Sequence, residues 1–147
     1  RLTMQYQIQE MLRIEKIFEA DGIQEELDAY NPLIPDGSNW KATFMMEYGD
    51  VEERKAALAK LGGIEDKTWL QVDGFDKVYA IANEDLDRTE DEKTSAVHFM
   101  RFELTADMCE AVKSGSAISA GIEHANYTHT VSPIDQNVRD SLAEDLA

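Results

Sequence analysis

The first clear pattern in the chain is helical. Met4, Ile8, Met11, Leu12 and Phe18 recur at helical spacing between Leu2 and Ala20 and form one apolar stripe. Asp21-Gly22 reads as its stop, and a second helix from Ile23 to Tyr30 must end before Asn31-Pro32, because the residue before proline avoids the α region. A loop rich in turn formers follows, up to Asn39. Trp40 to Tyr48 then alternates, with Ala42, Phe44, Met46 and Tyr48 on one face of a strand. Asp50 is placed to cap a helix from Val51 to Leu61, closed by Gly62-Gly63.

The second half reads mainly as strands. Thr68 to Val72 and Lys77 to Ala82 flank the hairpin signal Asp73-Gly74, and Asn83 to Glu92 reads as an acidic loop. Thr94 to Leu104 is a long strand, after which Thr105 caps a helix to Lys113. Ser116 to His124 and Tyr127 to Val131 form a hairpin around Ala125-Asn126. Ser132-Pro133 opens a terminal helix through Leu146. Hairpins interleaved with helices predict an α+β fold, mainly antiparallel sheet with helices packed against it. The length fits one domain over residues 1–147. Because the chain starts at Arg1 directly in helical periodicity, it reads as the main part of a longer chain that lacks its N-terminal segment.

Charge narrows the functions. With 30 acidic and 14 basic residues the formal net charge is −16, which argues against nucleic acid and anionic membrane surfaces, both of which need clustered Lys and Arg. It favours solubility or a basic protein partner, and a homo-oligomer is compatible with it. No apolar run approaches the ~18 residues of a membrane span. The single cysteine, Cys109, excludes an internal disulfide and a self-held iron–sulfur cluster, fits a reducing cytoplasm, and sits in a helical stretch as a small core residue.

The chemical lead is histidine. Parity puts His98 with Ala96, Met100, Phe102 and Leu104 on the apolar face of its strand. A two-residue turn at Ala125-Asn126 pairs His124 with Tyr127 and Ile122 with His129, making His124 and His129 diagonal neighbours. His98, His124 and His129 are therefore the candidate ligands for a transition metal, iron or zinc, with a position left open for water or substrate. Glu15, within the first helix's stripe, offers a carboxylate, and Tyr127 a further ligand or hydrogen-bond donor. The competing reading is that these histidines are satisfied core or pocket-edge residues, since a His on an apolar face is more often that than a ligand. The six carboxylates between Glu84 and Glu92 lack EF-hand spacing and read as a solvated loop or as a dock for a basic partner. No Gly-rich phosphate loop, nucleophile elbow or Ser–His–Asp spacing is present.

Three stretches carry a resemblance: Gln7-Ile8-Gln9-Glu10-Met11-Leu12-Arg13, Gln24-Glu25-Glu26-Leu27-Asp28-Ala29-Tyr30-Asn31-Pro32-Leu33-Ile34-Pro35 and Asp91-Glu92-Lys93-Thr94-Ser95-Ala96-Val97-His98-Phe99. The chain resembles a bacterial domain-of-unknown-function family encoded beside rubrerythrin and beside an iron–sulfur protein related to heterodisulfide reductase subunits. The resemblance implies a cytoplasmic redox or peroxide-stress setting and offers no established activity or catalytic residues to carry over. Three readings follow: an accessory or metal-binding subunit of such a module with a histidine-lined pocket, a small stand-alone metal-dependent oxidoreductase or hydrolase, and a structural assembly subunit with no ligand.

Overall fold

The computed structural model describes residues 2–84, 89–90 and 93–147. The chain forms two compact units, Arg1–Asp36 and Gly37–Ala147. The fold is α+β, with antiparallel sheets and packed helices, as the pattern predicts.

The first unit is a helical hairpin, α1 (Leu2–Glu15) and α2 (Ala20–Tyr30). The expected stop at Asp21-Gly22 is displaced. Lys16 adopts a left-handed φ of 55° and ends α1 there, and Asp21 falls in the first turn of α2, where a carboxylate suits the helix dipole. Gly22 is needed at that position because a Cβ would lie 2.7 Å from the Ile17 side chain. Phe18, expected in the apolar stripe, lies between the helices and is 81% exposed.

In the second unit, β1 (Asn39–Met45) pairs along its whole length with β7 (Val97–Glu103), from Asn39 opposite Glu103 to Met45 opposite Val97. The parity of β7 is as read from the sequence: His98, Met100 and Phe102 are buried, and the residues between them are not. β2 (Thr68–Val72) is the expected strand. The run Lys77 to Ala82 departs from expectation by dividing. β3 (Val78–Tyr79) pairs with β2, whereas β4 (Ile81–Ala82) pairs with β7 in the other sheet. Ala80 marks the crossing, its N–H bound to Thr68 O at 2.9 Å. The result is a three-stranded sheet ordered β1-β7-β4 and a four-stranded sheet ordered β3-β2-β8-β9, where β8 is Ile118–His124 and β9 is Tyr127–Val131. The acidic stretch 83–92 is not all loop: β5 (Thr89–Glu90) pairs with β6 (Lys93–Thr94), and residues 85–88 and 91–92 lie outside the described residues.

The helices of this unit start where their caps predict, with one exception. The Asp50 carboxylate accepts from Glu53 N–H at 2.8 Å and opens α3 (Val51–Leu58). The Thr105 hydroxyl accepts from Met108 N–H and opens α4 (Ala106–Lys113), whose Met108, Cys109 and Val112 face the core. The exception is α5 (Gln136–Glu144), which begins after Asp135, so that Ser132-Pro133 lies outside it. Trp40, Val72, Leu104, Met108, Cys109, Val112, Ile118 and Leu146 form the main core, and Leu70 and Val78 join it to a second cluster of Ala80, Met100 and Phe102. Each such buried aliphatic contributes roughly 1.5–3 kcal/mol. The Trp40 indole N–H donates to Leu142 O at 2.9 Å, tying β1 to α5.

Candidate functional site

His98 is fully buried at the centre of a polar chain within the three-stranded sheet. Its Nε2 lies 3.0 Å from Ser95 O and 3.0 Å from the Thr94 hydroxyl. A carbonyl only accepts, so Nε2 carries hydrogen. Its Nδ1 faces Asn83 Oδ1 at 3.3 Å and Glu65 Oε1 at 3.8 Å, and Asn83 Nδ2 donates to Glu65 Oε1 at 3.2 Å. Glu65 is itself buried. Local backbone sets this geometry. Glu65 opens a short 3-10 turn (Glu65–Lys67) just before β2, and Asn83 leaves β4 with a left-handed φ of 59°, a conformation asparagine tolerates better than other side chains. The Phe44 ring lies 6.3 Å from the imidazole and closes one side.

The Asn83 amide bridges the imidazole and the buried carboxylate, so that the three side chains form one hydrogen-bonded chain. No sequence signal pointed to Glu65 or Asn83. A glutamate after Gly62-Gly63 and an asparagine after a short strand both look like loop residues.

Beyond this chain, where β1 and β7 continue through a bond from Met46 N–H to Ala96 O, a cleft of about 530 Å³ opens. It is lined by Met46, Glu47, Tyr48, Gly49, Arg54 and Ala96. The Arg101 guanidinium on the other face of β7 is already claimed: it binds Glu84 and Glu103, which raises its pKa and lowers that of Glu84.

The remaining histidines belong to the four-stranded sheet. The predicted register is present, His124 opposite Tyr127 and Ile122 opposite His129. His124 is satisfied locally. Its Nε2 donates to Gly62 O at 3.1 Å, its Nδ1 accepts from Asn126 N–H at 3.1 Å, and Asn126 Nδ2 binds Lys60 O at 2.7 Å. These bonds fasten the hairpin turn to the loop after α3. His129 and Tyr127 lie on β9, which is exposed along its entire length. Parity gave them the core-side face correctly, but among the described residues nothing covers that face there. Glu15 ends α1 in the first unit, exposed rather than inside an apolar stripe. His98 therefore stands apart from the His124–His129 pair. Among the described residues, no group of three or more His, Cys, Asp or Glu is placed to hold a metal ion. The three-histidine set does not fit a metal as arranged, since the ring nitrogens of His98 and His124 already face protein partners.

Behind the hairpin, Trp69 packs against Gly121: a Cβ there would come within 2.4 Å of its ring. Lys77 sits 4.2 Å over the same indole and pairs with Glu123, which also accepts from Tyr79 OH at 3.1 Å. Lys77, then Tyr79, lower the Glu123 pKa, while the bond to Glu123 raises that of Tyr79. Cys109 is buried, as expected of a core residue. Among the described residues, no helix is long and apolar enough to cross a membrane.

A family model for a protein of unknown function (DUF3501) matches residues 1–146. A crystal structure at 1.90 Å of a protein of unknown function from Burkholderia pseudomallei K96243 is similar at 56% identity with a TM-score of 0.88, covering 99% of this chain and 75% of that one. No curated protein is similar to the chain.

Proposed function

Since the chain belongs to the DUF3501 family of proteins of unknown function, we propose a role for it from its own residues: an accessory subunit of a cytoplasmic redox or peroxide-stress module that docks a protein partner by charge. The net charge of −16 carries this reading. A field of that sign steers a basic surface toward the chain and speeds encounter. The partner suggested by the resemblance is rubrerythrin or the heterodisulfide-reductase-like iron–sulfur protein. Either would supply the redox centre, since this chain has one cysteine and that one is buried. The Glu65–Asn83–His98 chain then serves as an internal brace that fixes β7 beside the cleft.

The test is binding of each purified candidate partner at low and high salt. Binding that weakens steeply with ionic strength is expected. Salt-insensitive binding, or none to either protein, would overturn the reading. A second reading, a small stand-alone enzyme, is favoured by the cleft, where the Arg54 guanidinium makes no ion pair among the described residues and stands with Tyr48 over space enough for a small acidic ligand. Titration of the purified chain with small carboxylate and phosphate ligands divides the two: saturable binding that disappears in an Arg54→Ala variant would move the assignment to the second reading.

A further inference from the structure

We infer that β9 is a self-association edge, through which two copies of this chain pair antiparallel about a two-fold axis at His129. The inference does not depend on the charge-docking role. Among the described residues, β9 ends the four-stranded sheet with β8 as its one neighbour. The two-residue turn makes His124–Tyr127 and Ile122–His129 the hydrogen-bonded pairs of the hairpin. The backbone N–H and C=O of Thr128 and Thr130 therefore point away from β8, toward a flank that no described strand occupies.

Proteins usually guard such an edge with charge, proline or a bulge. β9 has none of these. Residues 124–134 are the longest run in the chain without Asp, Glu, Lys or Arg. A basic strand would find no carboxylate on β9 to meet it. Two copies that each carry −16 approach best where neither presents charge, and β9 is such a place.

The strand is also complementary to itself. Centred on His129, the antiparallel register sets Thr128 against Thr130 of the second copy, so that the outward backbone groups of both strands meet. It sets Tyr127 against the second copy's Val131 on the core-side face. Aromatic–β-branched and Thr–Thr pairs are among the favourable cross-strand combinations. Tyr127 is 46% exposed and Val131 44%, and pairing would cover both. The two four-stranded sheets become one continuous sheet with an isologous interface.

Sedimentation of the whole chain over a wide concentration range reads the outcome. The wild type is expected as a dimer, strengthened by salt because salt screens the repulsion between two acidic copies. Thr130→Pro removes an outward N–H and no bond to β8, so a folded monomer by circular dichroism is expected. His129→Cys provides a readout that survives if the proline variant does not fold. In a non-hydrogen-bonded antiparallel pair the Cα atoms lie about 4.5 Å apart, within disulfide reach. Mild oxidation should therefore link His129→Cys to itself and leave Val131→Cys unlinked, its opposite residue being Tyr127. A monomer at every concentration, a dimer that Thr130→Pro leaves intact, or equal cross-linking of the two cysteine variants would each overturn the proposal.

Discussion

His98 and His129 occupy equivalent places in their strands and have opposite surroundings. Each sits on the core-side face of an antiparallel strand, with apolar or β-branched residues two positions away. β7 is central, flanked by β1 and β4 and covered on that face, so His98 is fully buried and every polar neighbour must be matched. Among the described residues β9 is an edge, and all five of its residues are exposed. Alternation fixes which way a side chain points. Whether anything lies there depends on strand order and on the layer above, both of which are tertiary facts.

The comparison is tested most severely by truncating each ring. His98→Ala leaves Glu65 and Asn83 facing a cavity, and removing one member of a buried, hydrogen-bonded pair costs about 3–5 kcal/mol. His129→Ala on the exposed strand should change the stability of the monomer by no more than ~0.5 kcal/mol. Urea denaturation at neutral pH measures both. Equal losses at concentrations where the chain is monomeric would mean that the chain itself covers β9. Glu65→Gln sharpens the first result, because it keeps the shape of the chain but removes its charge. A loss smaller than that of His98→Ala is expected, because the amide oxygen can still accept from Asn83 Nδ2.

The same contrast shows what the sequence carried. Periodicity located β2, β7, α3, α4 and the β8–β9 hairpin, and the hairpin register was legible because a two-residue turn leaves one pairing. Capping residues fixed the starts of α3 and α4. What escaped depends on contacts distant in sequence. The division of 77–82 between two sheets is decided by which strand Ile81 meets, not by its own residues. Glu65 reads as a surface carboxylate because nothing beside it in sequence shows that His98, more than thirty residues on, lies within 4 Å. The end of α1 at Lys16 was missed because Asp21-Gly22 is the stronger stop signal, and Gly22 is used instead for close approach to Ile17.

Gly121→Ala probes the support behind β9. The new Cβ would meet Trp69 Cζ2 at 2.4 Å, Trp69 Cε2 at 2.7 Å and His129 O at 2.9 Å. A ring and a strand backbone cannot both move aside, so overpacking should cost about 1–3 kcal/mol. The change should also increase amide exchange across Tyr127–Val131. His124→Ala should cost less, about 1 kcal/mol, by freeing the turn from Gly62 and Asn126. If Gly121→Ala proves silent, β9 is loose enough to shift without consequence, and Trp69 does not hold it in place.

The smallest effect concerns acid. Lys77, and after it Tyr79, hold the Glu123 carboxyl below its ordinary value, and Arg101 does the same for Glu84. A lowered folded-state value means that the contribution is complete above the ordinary carboxylate range and is lost as pH falls through the lowered value. Both carboxylates are well exposed, so solvent screens the pairs and each contributes little. Glu123→Gln should therefore leave stability at neutral pH almost unchanged and slightly flatten its decline on acidification. A methionine at position 77 can still pack over Trp69, so Lys77→Met should likewise retain most of the stability while removing the larger part of the same acid dependence, Tyr79 keeping the rest. Thermal unfolding of both variants between neutral and mildly acidic pH reads the difference. An acid response unchanged in both would place the sensitivity elsewhere, in the Glu84–Arg101 pair on the outer face of the central strand.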